Sequence, residues 1–308
     1  MNRVWVLGDA VVDLLPDGEH HYLRCPGGAP ANVAVAIARL TGQSAFIGRV
    51  GDDPLGRFLR QTLANEHVDT SFMHLDPEHR TSTVIVDLDH YGERTFTFMV
   101  NPSADQFLQP TDLPTFKSGE WLHFCSIALI HQPSRTTVQQ AVEQIKQVGG
   151  FISFDPNLRP SLWADQQTML AEVNKMIAYA DVIKFSEEEI CLLSGLENLE
   201  QAIQQTRQQY PDKLILVTLG AEGAVYFYQQ ISGKIMGNKV NVVDTTGAGD
   251  AFVGGMLQGL AQYDQWQNAQ VLEQAIIQAN LCGGLATTAK GAMSALPNKQ
   301  QLQQLLNK

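Results

Sequence analysis

Residues 241–255 read Asn-Val-Val-Asp-Thr-Thr-Gly-Ala-Gly-Asp-Ala-Phe-Val-Gly-Gly. An apolar, β-branched run stops at Asp244, a glycine-rich turn follows at Gly247, Ala248 and Gly249, and Asp250 stands where the chain becomes apolar again with helical spacing. The first N–H groups of a helix have no partner within it, and the aligned peptide dipoles leave partial positive charge there. Glycines let that backbone approach an anion closely, so a Gly-Ala-Gly turn into a helix makes a phosphoryl cradle. Asp250 has two readings. It is either an ordinary first-turn acid that stabilises the helix, or the acceptor of a proton from an attacking hydroxyl.

Outward from this stretch, strand-like runs alternate with helix-like ones. Val4–Leu7, Ala45–Val50, Trp121–Cys125, Phe151–Phe154, Val182–Phe185 and Leu214–Leu219 are short, apolar and end in polar or glycine residues. Between them, Ala31–Leu40, Leu55–Asn65, Ser134–Val148 and Met169–Ala180 carry helical spacing. The alternation predicts βαβ units and a largely parallel sheet, whose ligands bind beyond the carboxyl ends of the strands. Thr81–Val100 breaks the pattern with two β-rich arms around a polar turn, a hairpin inserted into an α/β chain. His21–Cys25 is a short run placed to pair with it. These pieces, about 14–26 and 80–103, are expected to form a small β-sheet lid within one domain spanning 1–308. A sheet extension or an oligomer contact is the other reading of the same insertion. The glutamine-rich stretch Gln201–Gln209 reads as a solvated helix face.

Composition narrows the function classes. Of 308 residues, 44% are hydrophobic and 17% charged, a globular balance. The net charge of −11 argues against nucleic acid or an anionic membrane surface as the main partner. Cys25, Cys125, Cys191 and Cys282 form no Cys-x-x-Cys pair, so reduced, mostly buried thiols are expected. No signal-peptide layout and no apolar run of about 18 residues is present, and a cytoplasmic protein without membrane partners is expected.

Several polar residues fall near strand ends. Asp9 and Asp13, in Gly-Asp-Ala-Val-Val-Asp, either accept hydrogen bonds from the hydroxyls of a sugar or cap turns. Gly27 and Gly28 precede a helix with Asn32 in its first turn, which is either a polyol contact or a plain loop-to-helix entry. Arg159, in Asp-Pro-Asn-Leu-Arg, either reaches a phosphate or sugar hydroxyl or forms a surface ion pair. Ser186-Glu187-Glu188-Glu189 is a capping box, and its acids are also placed to meet Mg²⁺ through water.

Taken together, these residues resemble the ribokinase-like, or PfkB, sugar kinases over essentially the full chain. The carrying motifs are Gly-Gly-Ala-Pro-Ala-Asn at 27–32 and Asp-Thr-Thr-Gly-Ala-Gly-Asp at 244–250; Gly-Asp-Asp-Pro-Leu-Gly at 51–56 and Ala-Thr-Thr-Ala-Lys-Gly-Ala at 286–292 support them. Within the family, the wording of residues 5–16, 79–105 and 120–129 is most similar to bacterial fructokinases, with aminoimidazole riboside kinases second. A non-catalytic sensor on a kinase fold is disfavoured because base and anion turn are both intact.

The resemblance implies a three-layer α/β/α fold with a small β-sheet lid, and ATP-dependent phosphorylation of a primary hydroxyl of a monosaccharide. It implies Asp250 as catalytic base, Gly247, Ala248 and Gly249 as anion hole, and Asp9, Asp13, Gly27, Gly28, Asn32 and Arg159 around the sugar. Arg94 and Phe98 match lid positions near that sugar. Lys184, Glu187, Thr218, Gly220, Gly223, Asn280 and Gly283, with Gly247 and Gly249, fall where the family places ATP. Mg²⁺ near Glu189, and K⁺ near Asp244, Thr246, Ala286, Ala289 and Gly291, are implied as well. The inserted hairpin, read as an oligomer contact, points to a homodimer joined through the lid. Serine at 186 departs from the family's common Asn-x-x-Glu and loosens the magnesium assignment.

Overall fold

The computed structural model describes residues 1–88 and 94–306. Its strands are β1 (Val4–Leu7), β2 (Val11–Pro16), β3 (Tyr22–Gly27), β4 (Ser44–Gly51), β5 (Asp69–Asp76), β6 (Thr83–Leu88) and β7 (Arg94–Phe98). They continue with β8 (Trp121–Cys125), β9 (Phe151–Asp155), β10 (Val182–Ser186), β11 (Leu214–Thr218), β12 (Gly223–Tyr228) and β13 (Ile231–Met236). The helices are α1 (Ala29–Arg39), α2 (Pro54–Asn65), α3 (Ser134–Gln147), α4 (Gln166–Tyr179), α5 (Glu187–Ser194), α6 (Leu199–Gln209), α7 (Ala248–Leu260), α8 (Ala269–Ala286), α9 (Ala292–Ala295) and α10 (Lys299–Leu306).

Nine strands make the large sheet, in the order β13-β12-β11-β10-β9-β8-β1-β4-β5. From β5 to β11 every neighbouring pair is parallel, and β12 and β13 add an antiparallel edge. Strands buried on both faces read as apolar runs because each parity of side chain meets a helix layer. Val4 and Val6 face the layer of α1, α2, α7 and α8, while Trp5 and Leu7 face that of α3 to α6. Leu214 and Leu216 divide from Ile215 and Val217 in the same way. The three-layer α/β/α expectation is borne out, and each predicted strand and helix appears within three residues of its expected ends.

The second sheet has the order β3-β2-β6-β7. β2 runs antiparallel to β3 and parallel to β6, and β6 runs antiparallel to β7. Two sequence expectations change here. The run at residues 21–25 pairs not with the hairpin but with β2, a separate strand that follows β1 after three residues. Asp9 therefore lies in the turn between the two sheets, and Asp13 lies within the small one. The polar turn of the hairpin, residues 89–93, lies outside the described residues.

The small sheet is tied to the body at its base. Asp53 caps α2 by accepting from the N–H groups of Leu55 and Gly56, each at 2.9 Å. The same carboxylate accepts from Thr81 N at 2.9 Å and Thr81 Oγ1 at 2.8 Å, where the chain enters the sheet. On the way out, Ala104 N donates to the carbonyl of Arg80 at 2.9 Å.

Cys125 and Cys282 are buried, Cys25 and Cys191 are half-buried, and all four are unpaired. The glutamines from 204 to 209 face solvent on α6. Among the described residues, no helix is long and apolar enough to cross a membrane.

Candidate active site

The carboxyl ends of the central strands deliver polar groups to one cleft. β1 leads to Asp9, β9 ends at Asp155, β10 carries Lys184 and Ser186, and β11 ends at Thr218. From the opposite side, the N-termini of α1 and α7 point in with Asn32 and Asp250.

Glycine has a steric reason at the entry to α1. Gly28 has φ 97°, and a Cβ there would sit 2.7 Å from the carbonyl oxygen of Asp9. A Cβ on Gly27 would collide with the Asp13 carboxylate. The pair thus packs bare backbone between the two aspartates and starts the helix that carries Asn32.

Asn32 is 4% exposed, and its Nδ2 donates to Asp250 Oδ2 at 2.8 Å. That bond orients Asp250 within the first turn of α7. Burial pushes Asp250 up to about 6, the Asn32 bond opposes it, Asp155 adds to it, and Lys184 and Arg159 oppose it. A carboxyl raised this far is still ionised at neutral pH and is basic enough to take a proton.

The turn before α7 is built around Gly247, in the left-handed region at φ 77°. A Cβ on it would lie 2.9 Å from the Cα of Ala292. Ala248 N donates to the carbonyl of Thr245 at 3.2 Å, so the turn presents chiefly the N–H groups of Gly249 and Asp250 to an anion. Lys184 reaches the same place: its ammonium lies 3.5 Å from where a Cβ on Gly249 would be. Lys184 Nζ donates to Asp155 at 3.1 and 3.3 Å. Burial works against its charge, but the carboxylates of Asp155 and Glu189 outweigh burial and hold Lys184 protonated.

Asp9 is 5% exposed, and its Oδ1 has no partner; Asn32 Oδ1 is in the same condition. Burial first, then the charge of Asp105, drives Asp9 up to about 7. Phe98, expected on the lid, lines a cavity with Asp9. Arg94 begins β7, and its side chain lies outside the described residues. Arg159 is exposed and donates to the neighbouring carbonyl of Leu158 at 2.9 Å, while its charge is felt at both Asp9 and Asp250.

Other expected residues turn out to have structural tasks. Glu189 accepts from Ser186 N and from Leu158 N, each at 2.8 Å, which completes the capping box and pins the loop before Arg159. Gly223 sits where a Cβ would strike the carbonyl of Ile235, so close strand packing accounts for it. Asn280 Nδ2 is committed to the carbonyl of Met236 at 2.9 Å. A Cβ on Gly283 would lie 3.2 Å from the carbonyl of Ala248, so α8 backs the first turn of α7 there. Thr218 donates to the carbonyl of Phe185 at 3.2 Å, and Gly220 turns the chain between β11 and β12. The run before Asp244 is not a strand: Val242 and Val243 are exposed, and Val243 N and Asp244 N both donate to the carbonyl of Thr287.

Two metal expectations meet the donor set differently. Among the described residues no three His, Cys, Asp or Glu side chains converge. Glu187 and Glu188 lie in the acidic first turn of α5. At the other loop, the Asp244 carboxylate accepts from Thr246 N, Thr246 Oγ1 and Gly291 N at 3.0, 2.7 and 2.8 Å. The segments at 244–246 and around Gly291, where a monovalent cation was expected, are thereby held together.

Residues 1–299 match the pfkB family carbohydrate kinase profile. The chain belongs to this family. Among its relatives, the fructokinase of Vibrio alginolyticus is 56% identical over 98% of each chain. The aminoimidazole riboside kinase of Salmonella typhimurium is 44% identical over 100% of this chain and 96% of that one. Crystal structures of the fructokinase of Vibrio cholerae match at TM-score 0.94 and 56% identity, covering 99% of this chain and 98–99% of theirs. One holds fructose, ADP and calcium; the other, a double mutant, holds fructose, ADP and potassium. The pfkB kinase expectation read from the motifs is therefore met along almost the whole chain.

Proposed function

We propose that this pfkB kinase transfers the γ-phosphoryl group of ATP to the primary hydroxyl of D-fructose, giving fructose 6-phosphate and ADP. One observation carries the reading: Asp250, raised by burial and oriented by Asn32, stands in the same helical turn as the N–H groups that face an anion. Fructose lies against Asp9, Asp13, Asn32 and the Gly27–Gly28 backbone, with Phe98 and Arg94 of the lid above it. ATP lies on the other side of the Gly247–Gly249 turn, along Lys184, Thr218, Gly220 and α8 at Gly283. Asp250 accepts the hydroxyl proton as its oxygen bonds to the γ-phosphorus, the bond to the bridging oxygen breaks, and ADP leaves. The N–H groups of the turn, Lys184 and Arg159 stabilise charge on the transferred group. A magnesium ion bound with the nucleotide would supply charge against its phosphates, and a potassium ion held at the Asp244 loop would steady the turn.

Fructose is favoured over aminoimidazole riboside by the higher identity to fructokinases, 56% against 44%. An ADP-release assay on fructose, glucose, ribose, adenosine and aminoimidazole riboside, with and without K⁺, tests this. The highest kcat/KM on fructose, increased by K⁺, is expected; preference for the riboside overturns it. The lid sheet with the chain around it, at about 14–26 and 80–103, is the closing element of a single domain. It also exposes Tyr22 and Leu23, each 55%, and Met99, 56%. A homodimer joined through the lid would cover this apolar surface, and sedimentation equilibrium at micromolar concentration decides between dimer and monomer.

A further inference from the structure

A cavity of ≈ 150 Å³ opens beside Asp9 and runs under the lid to Asp105. Asp105 belongs to the short turn Ala104–Phe107, where the chain returns from the small sheet to the body. Burial raises its carboxyl, nearby Ser103 lowers it, and the Ser103 hydroxyl accepts from Gln106 Nε2 at 3.2 Å. Asp105 Oδ1 is nonetheless sealed from solvent without a partner, as is Oδ1 of the deeply buried Asp9. Both residues line the cavity. Of the charges around Asp9, that of Asp105 weighs most, and Asp250 acts on it as well. Asp9 therefore stands between the phosphoryl-transfer end of the cleft and Asp105.

Buried acceptors in folded proteins nearly always have donors, and two left without one in a single cavity point to donors arriving with a ligand. Hydroxyl groups supply such donors, whereas a methylene does not. Building on the fructose reading above, we propose that Asp105 is a specificity-determining residue: with Asp9 it binds the anomeric hydroxyl of the sugar, at the end remote from the transferred phosphoryl group. A sugar that lacks a donor there leaves both Oδ1 atoms without a partner and is rejected.

The test compares Asp105→Leu and Asp105→Asn with the wild-type chain on D-fructose and on 2,5-anhydro-D-mannitol, which keeps the primary hydroxyls and lacks the anomeric one. Asp105→Leu should raise KM for fructose by at least about 10-fold while kcat stays within about 3-fold. KM for the anhydro sugar should move far less, so the preference for fructose collapses. Should Asp105→Leu fail to fold, Asp105→Asn should move the same ratio in the same direction. An unchanged fructose KM, or equal losses on both sugars, overturns the proposal while leaving the fructose reading in place. A wild-type chain inert on fructose overturns that reading and this proposal together.

Discussion

Asp250 and Asp9 show how one cleft sets two carboxyl groups apart from ordinary ones. Burial is the first cause for each, and it places them at about 6 and about 7. As a proton acceptor Asp250 must be ionised, so kcat/KM on fructose should fall on the acid side, with a midpoint between about 6 and 7. A pH–rate profile that stays flat down to about pH 5 would remove Asp250 from the role of base. The chemistry of Asp250 was legible in the sequence because a local motif frames it. Asp105 was not, since no pattern surrounds it and its importance comes from a fold that brings residues 9 and 105 to one cavity. Glu189 was legible only in half: the capping box could be read locally, but its second bond, to Leu158 N, ties the first turn of α5 to a loop 31 residues away.

At the scale of elements, the turn before α7 depends on one glycine more than the other. Gly247 is in the left-handed region and backed by Ala292, whereas a Cβ on Gly249 would find Lys184 Nζ at an ordinary 3.5 Å. Gly247→Ala should therefore destabilise the chain by about 1–2 kcal/mol or more, as well as reducing turnover. Gly249→Ala should melt like wild type but raise KM for ATP, because its methyl group enters the phosphate space. Equal melting temperatures for the two variants would contradict the geometry. The central strands were legible because burial on both faces makes them unbroken apolar runs. β5 and β13 were not, because they are the edge strands of the sheet and mix polar with apolar residues, and β12, although apolar, is joined to β13 by a tight turn that hides their boundary. The β12–β13 turn also lacks a glycine signal, since Gln229 takes φ 52° there. β2 was hidden by closeness: only three residues separate it from β1, yet it enters a different sheet.

For the whole molecule, the cleft lowers stability in exchange for function. Below about pH 4 Asp9 is protonated in both the folded and the unfolded chain and has no effect. As pH rises, the unfolded chain loses that proton first, so stability falls until about pH 7 and stays reduced above it. Asp9→Asn should consequently stabilise the sugar-free protein at about pH 8, by at most roughly 4 kcal/mol, and leave it unchanged near pH 4. Urea denaturation at the two pH values measures this, and equal effects at both would contradict it. The large sheet, two helix layers and inserted small sheet serve to bring α1, α7 and the strand ends around one proton acceptor. Turnover of ATP and fructose by Asp250→Asn tests that centre most directly. A fall in kcat of at least about 10²-fold, with fructose KM nearly unchanged, is the predicted result; turnover within about 3-fold of wild type would contradict it.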